Sequence, residues 1–334
     1  MKAMLLKKTA DIGSRPLSFE EVDTPKPGYG EILIKVKACG VCRSNLQVIE
    51  GERGTPPKLP LIPGHEVVGV VSELGPGVSS LAVGDRVGAQ PQFRVDNTCE
   101  YCVSGRENLC INSKRLGWSI DGGYSEYMIG YAEHLHKIPE NISDLNAAPL
   151  FCPGATAYGA VKNAEPFPGK KIAVFGIGGV GHLAIEFAKI AGARVTAVSR
   201  NALHTELAER VGADRTIISS EEDPVAAISG SGGVDSSIVF APSDEAVSQA
   251  IRSTKKGGVV VIGVDCNIKD FRFMNGQIIK STVVGTRNDI NRVLELASQG
   301  LVKISAKEYK LKDANEALQL LKNNKVEGRI VLTT

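Results

Sequence analysis

The pattern of hydrophobic and polar positions divides the chain into two parts. In the first 150 residues, short alternating runs such as 31–36 and 67–71 are separated by turns that contain Gly and Pro. This pattern predicts a β-rich, barrel-like domain. From about residue 170, short apolar runs alternate with helical segments. That alternation is typical of an α/β fold with a doubly wound parallel sheet.

Six apolar runs predict the strands of the parallel sheet. They cover residues 172–175, 195–198, 216–218, 238–240, 259–262 and 282–284. A helix is predicted over residues 289–299, and neither this helix nor the rest of the chain to Thr334 continues the alternation. We therefore assign the C-terminal part of the chain to the first domain.

A glycine-rich turn follows the first strand of the parallel sheet. The run 176–181 matches G-x-G-x-x-G between a strand at 171–175 and an apolar helix at 182–191. In such a turn the first glycine permits a tight bend, the second lets the backbone approach a pyrophosphate, and the third allows close helix packing. The helix N-terminus then faces the phosphates. We predict that a dinucleotide is bound by Gly176, Gly178, Gly179, Val180 and Gly181.

The second strand of the sheet ends in Ser199 and Arg200, where an NAD-binding protein usually has an acidic residue for the ribose 2′-hydroxyl. A guanidinium can pair bidentately with a 2′-phosphate, and a serine leaves room for it. The sequence therefore predicts that NADP is preferred over NAD. The alternative is that Arg200 is a solvated loop charge and the protein uses either cofactor.

Composition and charge narrow the class of partner. The chain has 334 residues, 43% of them hydrophobic and 23% charged, which excludes disordered and fibrous classes. Its 39 basic and 37 acidic side chains give a net charge of +2, and no run of Lys or Arg is dense enough for a nucleic-acid or membrane surface. We expect a small-molecule partner.

The cellular compartment is predicted from the N-terminus and the cysteines. Residues 1–9 lack the apolar core of a signal peptide, and no stretch approaches the roughly 20 apolar residues that cross a bilayer. We therefore expect a cytoplasmic protein. In that compartment, seven cysteines point to metal ligation rather than to disulfides.

Three cysteines form a compact metal-binding pattern. Cys99, Cys102 and Cys110 have C-x2-C-x7-C spacing, and Asp96 lies three positions before the first. Zinc accepts thiolates and a carboxylate in tetrahedral geometry, so these four residues predict a structural zinc site. The alternative is a set of three reduced surface thiols. Because oxygen is a harder ligand than sulfur, a site with Asp96 should hold zinc less tightly than one with four thiolates.

Four segments resemble the zinc-dependent alcohol dehydrogenases of the medium-chain dehydrogenase/reductase superfamily. They are residues 39–44, 64–66, the cysteine-rich lobe and residues 152–158, and the resemblance extends over essentially the whole chain. It implies a GroES-like catalytic domain made of residues 1–153 and 284–334, with the structural zinc lobe at about 90–115. It also implies a Rossmann dinucleotide-binding domain over residues 154–283.

The same resemblance implies a catalytic zinc held by Cys42, His65 and Cys152. Glu66 is implied as an alternating fourth ligand, or as a group that only balances charge. Ser44 matches the hydroxyl that relays the substrate proton towards the cofactor. Cys39 precedes Cys42 at C-x2-C spacing, but the family pattern makes it a packed thiol.

Further positions are implied to contact the cofactor: Arg43, Thr156 and Arg329. Taken singly, each of these could equally be an unrelated surface residue. The chain departs from its relatives at Asn45, where an aspartate is usual, and at Gln47, where a histidine often ends the proton relay. If that aspartate supports the zinc-bound imidazole, Asn45 leaves His65 a less basic ligand, and Gln47 forces the proton to leave through water.

The resemblance implies a zinc-dependent alcohol dehydrogenase or aldehyde reductase, which transfers a hydride between a primary or secondary alcohol and NADP, with NAD possible. Two alternatives stay open: a quinone or enoyl reductase of the same superfamily, and an inactive NADP-binding protein. Relatives assemble as homodimers or homotetramers, commonly by joining edge strands. The apolar run 282–285 is a candidate edge, although it could equally lie inside the sheet.

Overall fold

A computed structural model describes all 334 residues. The strands are β1 (Lys2–Leu6), β2 (Leu17–Glu21), β3 (Glu31–Gly40), β4 (Val67–Leu74), β5 (Arg86–Ala89), β6 (Gln92–Arg94), β7 (Lys114–Arg115), β8 (Tyr127–Tyr131), β9 (Leu135–Lys137), β10 (Lys171–Phe175), β11 (Arg194–Ser199), β12 (Arg215–Ile218), β13 (Val234–Val239), β14 (Thr254–Ile262), β15 (Ile278–Ser281), β16 (Ala306–Lys310) and β17 (Arg329–Thr333). The helices are α1 (Arg43–Glu50), α2 (Glu100–Val103), α3 (Asp144–Ala147), α4 (Pro153–Asn163), α5 (Gly181–Ile190), α6 (Ala202–Arg210), α7 (Pro224–Ser229), α8 (Asp244–Ser253), α9 (Arg287–Ser298) and α10 (Ala314–Lys322). None of the helices is long and apolar enough to span a membrane.

The chain forms two compact units. The first consists of Met1–Cys152, Thr286–Ser298 and Ile304–Thr334, and the second of Pro153–Gly285 and Gln299–Lys303. The short segment Gln299–Lys303 therefore groups with the second unit, whereas the sequence analysis placed it with the first. A hydrogen bond explains this grouping, because the backbone N–H of Lys303 donates to the Glu186 carboxylate on α5 over 3.0 Å.

The first unit is built on a seven-stranded sheet. Its order is β16-β17-β3-β4-β5-β9, and β8 pairs with β3. β3 is long because Ile32, Ile34 and Val36 supply buried apolar side chains at every second position. Pairing of Cys39 with Val67 aligns the end of β3 with the start of β4. The loops that follow β3 and precede β4 therefore lie side by side.

The second unit contains a six-stranded parallel sheet. Its order is β12-β11-β10-β13-β14-β15, which in chain order is 3-2-1-4-5-6. This order is that of a doubly wound Rossmann sheet, so the predicted α/β fold class is confirmed. β13 begins four residues before the predicted run because Ser236 and Ser237, both fully buried, interrupt its apolar pattern. Their hydroxyls bond to the Ala164 carbonyl and to Thr254, which permits their burial.

The sixth predicted strand was wrong. Residues 282–284 form no strand, and the edge strand of the sheet is β15, four residues earlier. Val284 adopts a φ of +48°, which turns the chain away from extended geometry. β15 escaped detection because it lies at an edge, where Lys280 and Ser281 replace the apolar residues of a central strand.

Candidate functional site

Four potential metal ligands converge in the first unit. Cys42 is the N-cap residue of α1, His65 and Glu66 immediately precede β4, and Cys152 follows a 3-10 turn over Ala148–Phe151. One ligand atom from each lies within 4.8 Å of the others. His65, Glu66 and Cys152 are buried, and Cys42 is half-buried. We call these four residues the catalytic set, after the role that the family resemblance implies for them. Its two sulfurs, one ring nitrogen and one carboxylate oxygen suit zinc.

The two thiols of the catalytic set are not equivalent. A hydrogen bond from Cys152 lowers the pKa of Cys42 well below its ordinary value, and the same bond raises the pKa of Cys152 well above it. Burial opposes the shift of Cys42 and adds to that of Cys152. Cys42 is therefore the more acidic thiol of the pair. A cation that enters the set would have to displace the proton of the less acidic Cys152.

A buried ion pair holds Glu66. Nη2 of Arg329 lies 2.6 Å and 2.7 Å from the two carboxylate oxygens of Glu66 and donates to the Val41 carbonyl over 3.0 Å. Burial raises the pKa of Glu66 to about 7, and the Arg329 guanidinium opposes that shift. Gly40 leaves the space for this carboxylate, since a Cβ there would lie 1.9 Å from its Oε2. Sequence reasoning proposed Arg329 only as a cofactor contact and missed this ion pair.

Ser44 and Asn45 surround the His65 ring. The Ser44 hydroxyl donates to Sγ of Cys42 over 3.2 Å and lies 3.4 Å from Nε2 of His65. Nδ2 of Asn45 lies 3.0 Å from Nδ1 of the same ring, and the Tyr124 hydroxyl donates to Oδ1 of Asn45 over 3.4 Å. Tyr124 was missed by sequence reasoning because no motif links position 124 to the histidine.

Two other residues near the catalytic set do not join it. Burial raises the pKa of the Cys39 thiol, and Cys39 lies outside the ligand group, in line with its expected packing role. Gln47, at the position where the family resemblance implied a relay histidine, accepts a 3.0 Å hydrogen bond from Nε of Arg53. The Gln47 side chain therefore bonds to a residue just after its own helix, α1, rather than to His65.

The second ligand group lies in the cysteine-rich lobe. Asp96, Cys99, Cys102 and Cys110 also place their ligand atoms within 4.8 Å of one another. We call these four residues the lobe set. Only Cys110 is buried, and the other three are partly exposed. Burial raises the pKa of Cys102 to about 12, whereas a backbone hydrogen bond from Cys102 lowers that of Cys99. Three sulfurs and one carboxylate fit a tetrahedral zinc.

Hydrogen bonds orient the Asp96 carboxylate. Its Oδ1 accepts from the backbone N–H groups of Thr98 and Cys99, each over 2.9 Å, and its Oδ2 accepts from Nδ2 of Asn112 over 2.8 Å. These bonds hold the pKa of Asp96 well below its usual range. The carboxylate is therefore charged and aimed before a metal binds. Asn112 was not among the predicted residues, although it lies only two positions after Cys110.

The lobe is fastened to its own unit through Glu107. Oε1 of Glu107 accepts a 2.9 Å hydrogen bond from the backbone N–H of Arg287 at the start of α9. The Glu107 carbonyl accepts from Nε2 of Gln92 on β6 over 2.8 Å and from the Cys110 backbone over 3.0 Å. The ligand Cys110 is thereby linked to a sheet and to a helix.

The glycine-rich turn of the second unit fits a pyrophosphate. Gly176 follows β10 with a φ of +92°, and a Cβ there would lie 2.4 Å from the Ala241 backbone nitrogen. A Cβ on Gly181, the first residue of α5, would lie 2.0 Å from the Gly176 carbonyl oxygen. Next to Gly178, by contrast, nothing lies within 4 Å of the position of a Cβ. The backbone is therefore open to a ligand at the point where the motif requires it.

The remaining predicted cofactor residues lie in different places. Ser199 ends β11 beside the glycine-rich turn, because Phe175 of β10 pairs with Val198. Ser199 is buried, and Arg200 directly after it is exposed. Thr156 lies on α4 of the second unit, whereas Arg43 is an exposed residue of α1 in the first unit.

Comparison with known proteins identifies the family. Residues 28–140 match the family model described as alcohol dehydrogenase GroES-like domain, and residues 179–299 match the model described as zinc-binding dehydrogenase. An alcohol dehydrogenase of Geobacillus stearothermophilus is 42% identical over 324 residues, which cover 95% of this chain and 96% of the relative. The chain belongs to the zinc-binding alcohol dehydrogenase family.

Solved structures of other alcohol dehydrogenases have the same fold. The enzyme of the archaeon Aeropyrum pernix superimposes with a TM-score of 0.91 at 31% identity, and the match covers 100% of both chains. A thermostable alcohol dehydrogenase of Pyrobaculum aerophilum, solved with cobalt and zinc bound, gives a TM-score of 0.90 at 28% identity over 100% of this chain and 99% of that one. As a family member, this chain is an alcohol dehydrogenase with a GroES-like and a Rossmann-type domain.

Proposed function

We propose that this alcohol dehydrogenase is zinc-dependent and transfers a hydride between a primary or secondary alcohol and NADP. The proposal includes the reverse reaction, reduction of an aldehyde or ketone. One observation carries it: Cys42, His65 and Cys152 come from distant parts of the sequence and still place their ligand atoms together with Glu66. Quinone and enoyl reductases of the superfamily usually lack these ligands, and an inactive cofactor-binding protein does not require them.

Each residue of the catalytic set has a distinct role in this proposal. Zinc bound there supplies Lewis-acid polarisation of the alcohol oxygen. Cys42, His65 and Cys152 would hold the ion, and Glu66, which Arg329 keeps in place, would serve as an alternating fourth ligand or only balance its charge. The Ser44 hydroxyl lies beside two of the ligands and accepts the proton that the alcohol loses. From Ser44 the proton leaves through water, because Gln47 does not titrate.

The preference for NADP rests on the end of β11. Ser199 and the exposed Arg200 lie beside the glycine-rich turn, at the edge of the sheet where a dinucleotide ribose is held. Arg200 has no acceptor for a 2′-hydroxyl, and the Ser199 hydroxyl lacks the negative charge of a carboxylate. A guanidinium pairs well with a 2′-phosphate. Gly176, Gly178, Gly179, Val180 and Gly181 bind the pyrophosphate in this proposal, and Arg43, Thr156 and Arg329 are proposed as further contacts.

The proposal includes a second zinc and an oligomer. The lobe set binds a structural zinc, so that the loaded chain contains two. For the oligomer, β15 is an edge strand with no partner on its outer side. Ile278 on this strand is 49% exposed, and Phe273 and Met274 just before it are 86% and 77% exposed. Pairing of β15 with a second copy would cover this apolar edge, which supports a homodimer or a dimer of dimers.

Zinc removal tests the reaction class. We expect alcohol-dependent formation of NADPH to disappear when a chelator strips the metal and to return when zinc is added back. Metal analysis should find two zinc ions per fully loaded chain. NADPH-dependent reduction of a quinone or an activated double bond that survives complete zinc removal would instead favour a quinone or enoyl reductase. Tight NADPH binding without oxidation of any short, branched or aromatic alcohol would favour the inactive protein.

Substitution of Arg200 tests the cofactor. Arg200→Asp should reverse the preference from NADP to NAD, because a carboxylate repels the 2′-phosphate and accepts from a 2′-hydroxyl; we expect kcat/KM for NADP to fall by about 10–100-fold. Arg194→Asp is the matched control, since Arg194 is exposed at the opposite end of β11. Equal kcat/KM for the two cofactors in the native enzyme would contradict the proposed preference.

A further inference from the structure

Asn45 contacts two of the proposed zinc ligands through opposite ends of its side-chain amide. Its Nδ2 lies 3.0 Å from Nδ1 of His65, and its Oδ1 accepts a 3.2 Å hydrogen bond from the backbone N–H of Cys42. The Asn45 side chain is only 1% exposed, so water does not replace either contact. One buried amide therefore serves both a ligand side chain and a ligand backbone.

This contact determines which ring nitrogen of His65 carries the proton. An amide nitrogen only donates, so Nδ1 of His65 must accept, and the proton of the neutral ring is on Nε2. The Ser44 contacts agree with this assignment. Its hydroxyl proton is directed to Sγ of Cys42, and its oxygen is left to accept from Nε2 of His65. A continuous series of donors runs from Asn45 through His65 and Ser44 to the Cys42 sulfur.

Zinc requires the opposite tautomer of His65. Nδ1 faces Asn45, so the nitrogen left for the metal is Nε2. Nε2 binds a cation only through its lone pair, which moves the ring proton to Nδ1. The Nδ1–H group then needs an acceptor at the place where Asn45 presents its amide nitrogen.

Turning the Asn45 amide over supplies this acceptor but breaks the cap of α1. The amide nitrogen would then face the Cys42 N–H, and two donors cannot bond to each other. The Tyr124 hydroxyl adapts to either orientation because it both donates and accepts. Cys42 N–H has no such freedom, since it and Asn45 form the capping box of α1. A carboxylate at position 45 would accept from both groups at once.

We infer that Asn45 is a positioning residue that weakens the binding of the catalytic zinc, because the metal-bound tautomer of His65 and the N-cap of α1 compete for its single amide oxygen. This inference rests on the proposed function, in which the catalytic set holds zinc. Partners of a zinc-bound histidine typically change metal affinity by about 10–100-fold, and we expect an effect of that size here.

Metal affinity in Asn45→Asp is the first test. Competition titration of metal-free protein with zinc and a chromophoric chelator should give two affinities per chain, and His65→Ala identifies the one that belongs to the catalytic set. We expect Asn45→Asp to tighten this affinity by about 10–100-fold. The lobe set of the same molecule is an internal control and should not change.

Gln47→Glu separates the hydrogen bond from the added charge. It introduces one carboxylate on the same helix, but against Arg53 rather than His65. We expect Gln47→Glu to change the affinity of the catalytic set by less than about threefold, the size of a weak surface charge interaction. Equal tightening in Gln47→Glu and Asn45→Asp would show a charge effect and would overturn the inference.

The tautomer itself is the second test, and its readout does not depend on affinity. The chain has only five histidines, so nitrogen-15 NMR of the labelled imidazoles can be assigned with the His65→Ala variant. We expect metal-free native protein to show His65 protonated at Nε2, and zinc-loaded protein to show it protonated at Nδ1. Because the native spectrum alone makes this test, it stands even if Asn45→Asp fails to fold.

Different results would refute different statements. Protonation of His65 at Nδ1 in the metal-free native protein, or an unchanged zinc affinity in a folded Asn45→Asp variant, would overturn the inference and leave the proposed function intact. Failure of zinc to bind at the catalytic set in both the native protein and Asn45→Asp would refute the proposed function, and the inference with it.

Discussion

The catalytic set and the lobe set differ in where their residues lie along the chain and in how much water reaches them. The lobe set comes from one stretch between positions 96 and 110, and three of its four residues are partly exposed. The catalytic set is spread between positions 42 and 152, and three of its four residues are buried. Each set contains one carboxylate, but backbone and amide N–H groups hold Asp96, whereas a buried guanidinium holds Glu66.

If both sets bind zinc as proposed, their ligands are prepared for the metal in two different ways. In the lobe, short loops close at little entropic cost, and exposed groups keep their hydration until the metal binds. In the catalytic set, the whole sheet has to form before the ligands meet, and the buried charge of Glu66 depends on Arg329. We therefore expect the lobe zinc to act mainly on stability and the catalytic zinc on reactivity.

The largest effect is expected when one ligand is removed from each set in turn. Cys42→Ser should remove zinc from the catalytic set and lower kcat on the order of a thousandfold or more, because the Lewis acid is lost. Cys99→Ser should remove only the lobe zinc and lower the thermal midpoint, while kcat of the remaining folded enzyme falls by less than about tenfold. Metal analysis, thermal unfolding and kcat measure both variants. A Cys99→Ser enzyme as inactive as Cys42→Ser would contradict the division of roles.

A smaller effect concerns the carboxylate of the lobe set. Asp96→Cys should make the lobe zinc more resistant to chelators, with removal slowed on the order of tenfold, since sulfur is the softer ligand. The rate of metal transfer to a chelator at neutral pH measures this change. The catalytic set in the same chain is the control. Faster zinc loss in Asp96→Cys would mean that the hydrogen bonds to the carboxylate matter more than ligand softness.

The smallest effect tests whether burial raises the pKa of a carboxyl that belongs to neither set, since the charge of Cys42 adds to the effect of burial at Glu66. Glu186 on α5 is a buried residue of the second unit, and burial raises its pKa to about 7, while the Lys303 N–H lowers it. Folded protein therefore keeps this proton up to about pH 7, whereas the unfolded chain loses it near 4.5. Because the folded state binds more protons in that window, the free energy of unfolding should fall as pH rises from about 4.5 to about 7 and stay low above it.

Glu186→Gln should remove this fall in the free energy of unfolding with rising pH. The amide keeps an oxygen for the Lys303 N–H and never ionises, so the variant should be more stable than the native protein by roughly 1–3 kcal/mol at about pH 8 and nearly equal to it at about pH 4.5. Denaturant unfolding at the two pH values measures the difference. Glu206→Gln, an exposed change on α6, is the control and should show no such pH dependence. Equal effects of both substitutions would argue against a role of burial.

Local features of the fold and site were predictable from the sequence, and long-range polar contacts were not. The lobe set and the glycine-rich turn were predicted because their residues lie close together in the sequence, so that their spacing alone identifies them. The catalytic set was found only through family resemblance, since nothing local links Cys42 to Cys152. The Glu66–Arg329 ion pair and the Tyr124–Asn45 bond were missed, because polar partners far apart in the chain leave no periodic signal.

The sequence by itself determined the alternation of strands and helices, the two-part architecture and the residues able to bind a metal, because these follow from patterns within a turn or a strand. Only the tertiary structure decided which strand lies at the sheet edge, which charge balances Glu66 and which ring nitrogen of His65 carries the proton. Those properties depend on what surrounds a side chain after burial has removed water, and the surroundings come from every part of the chain.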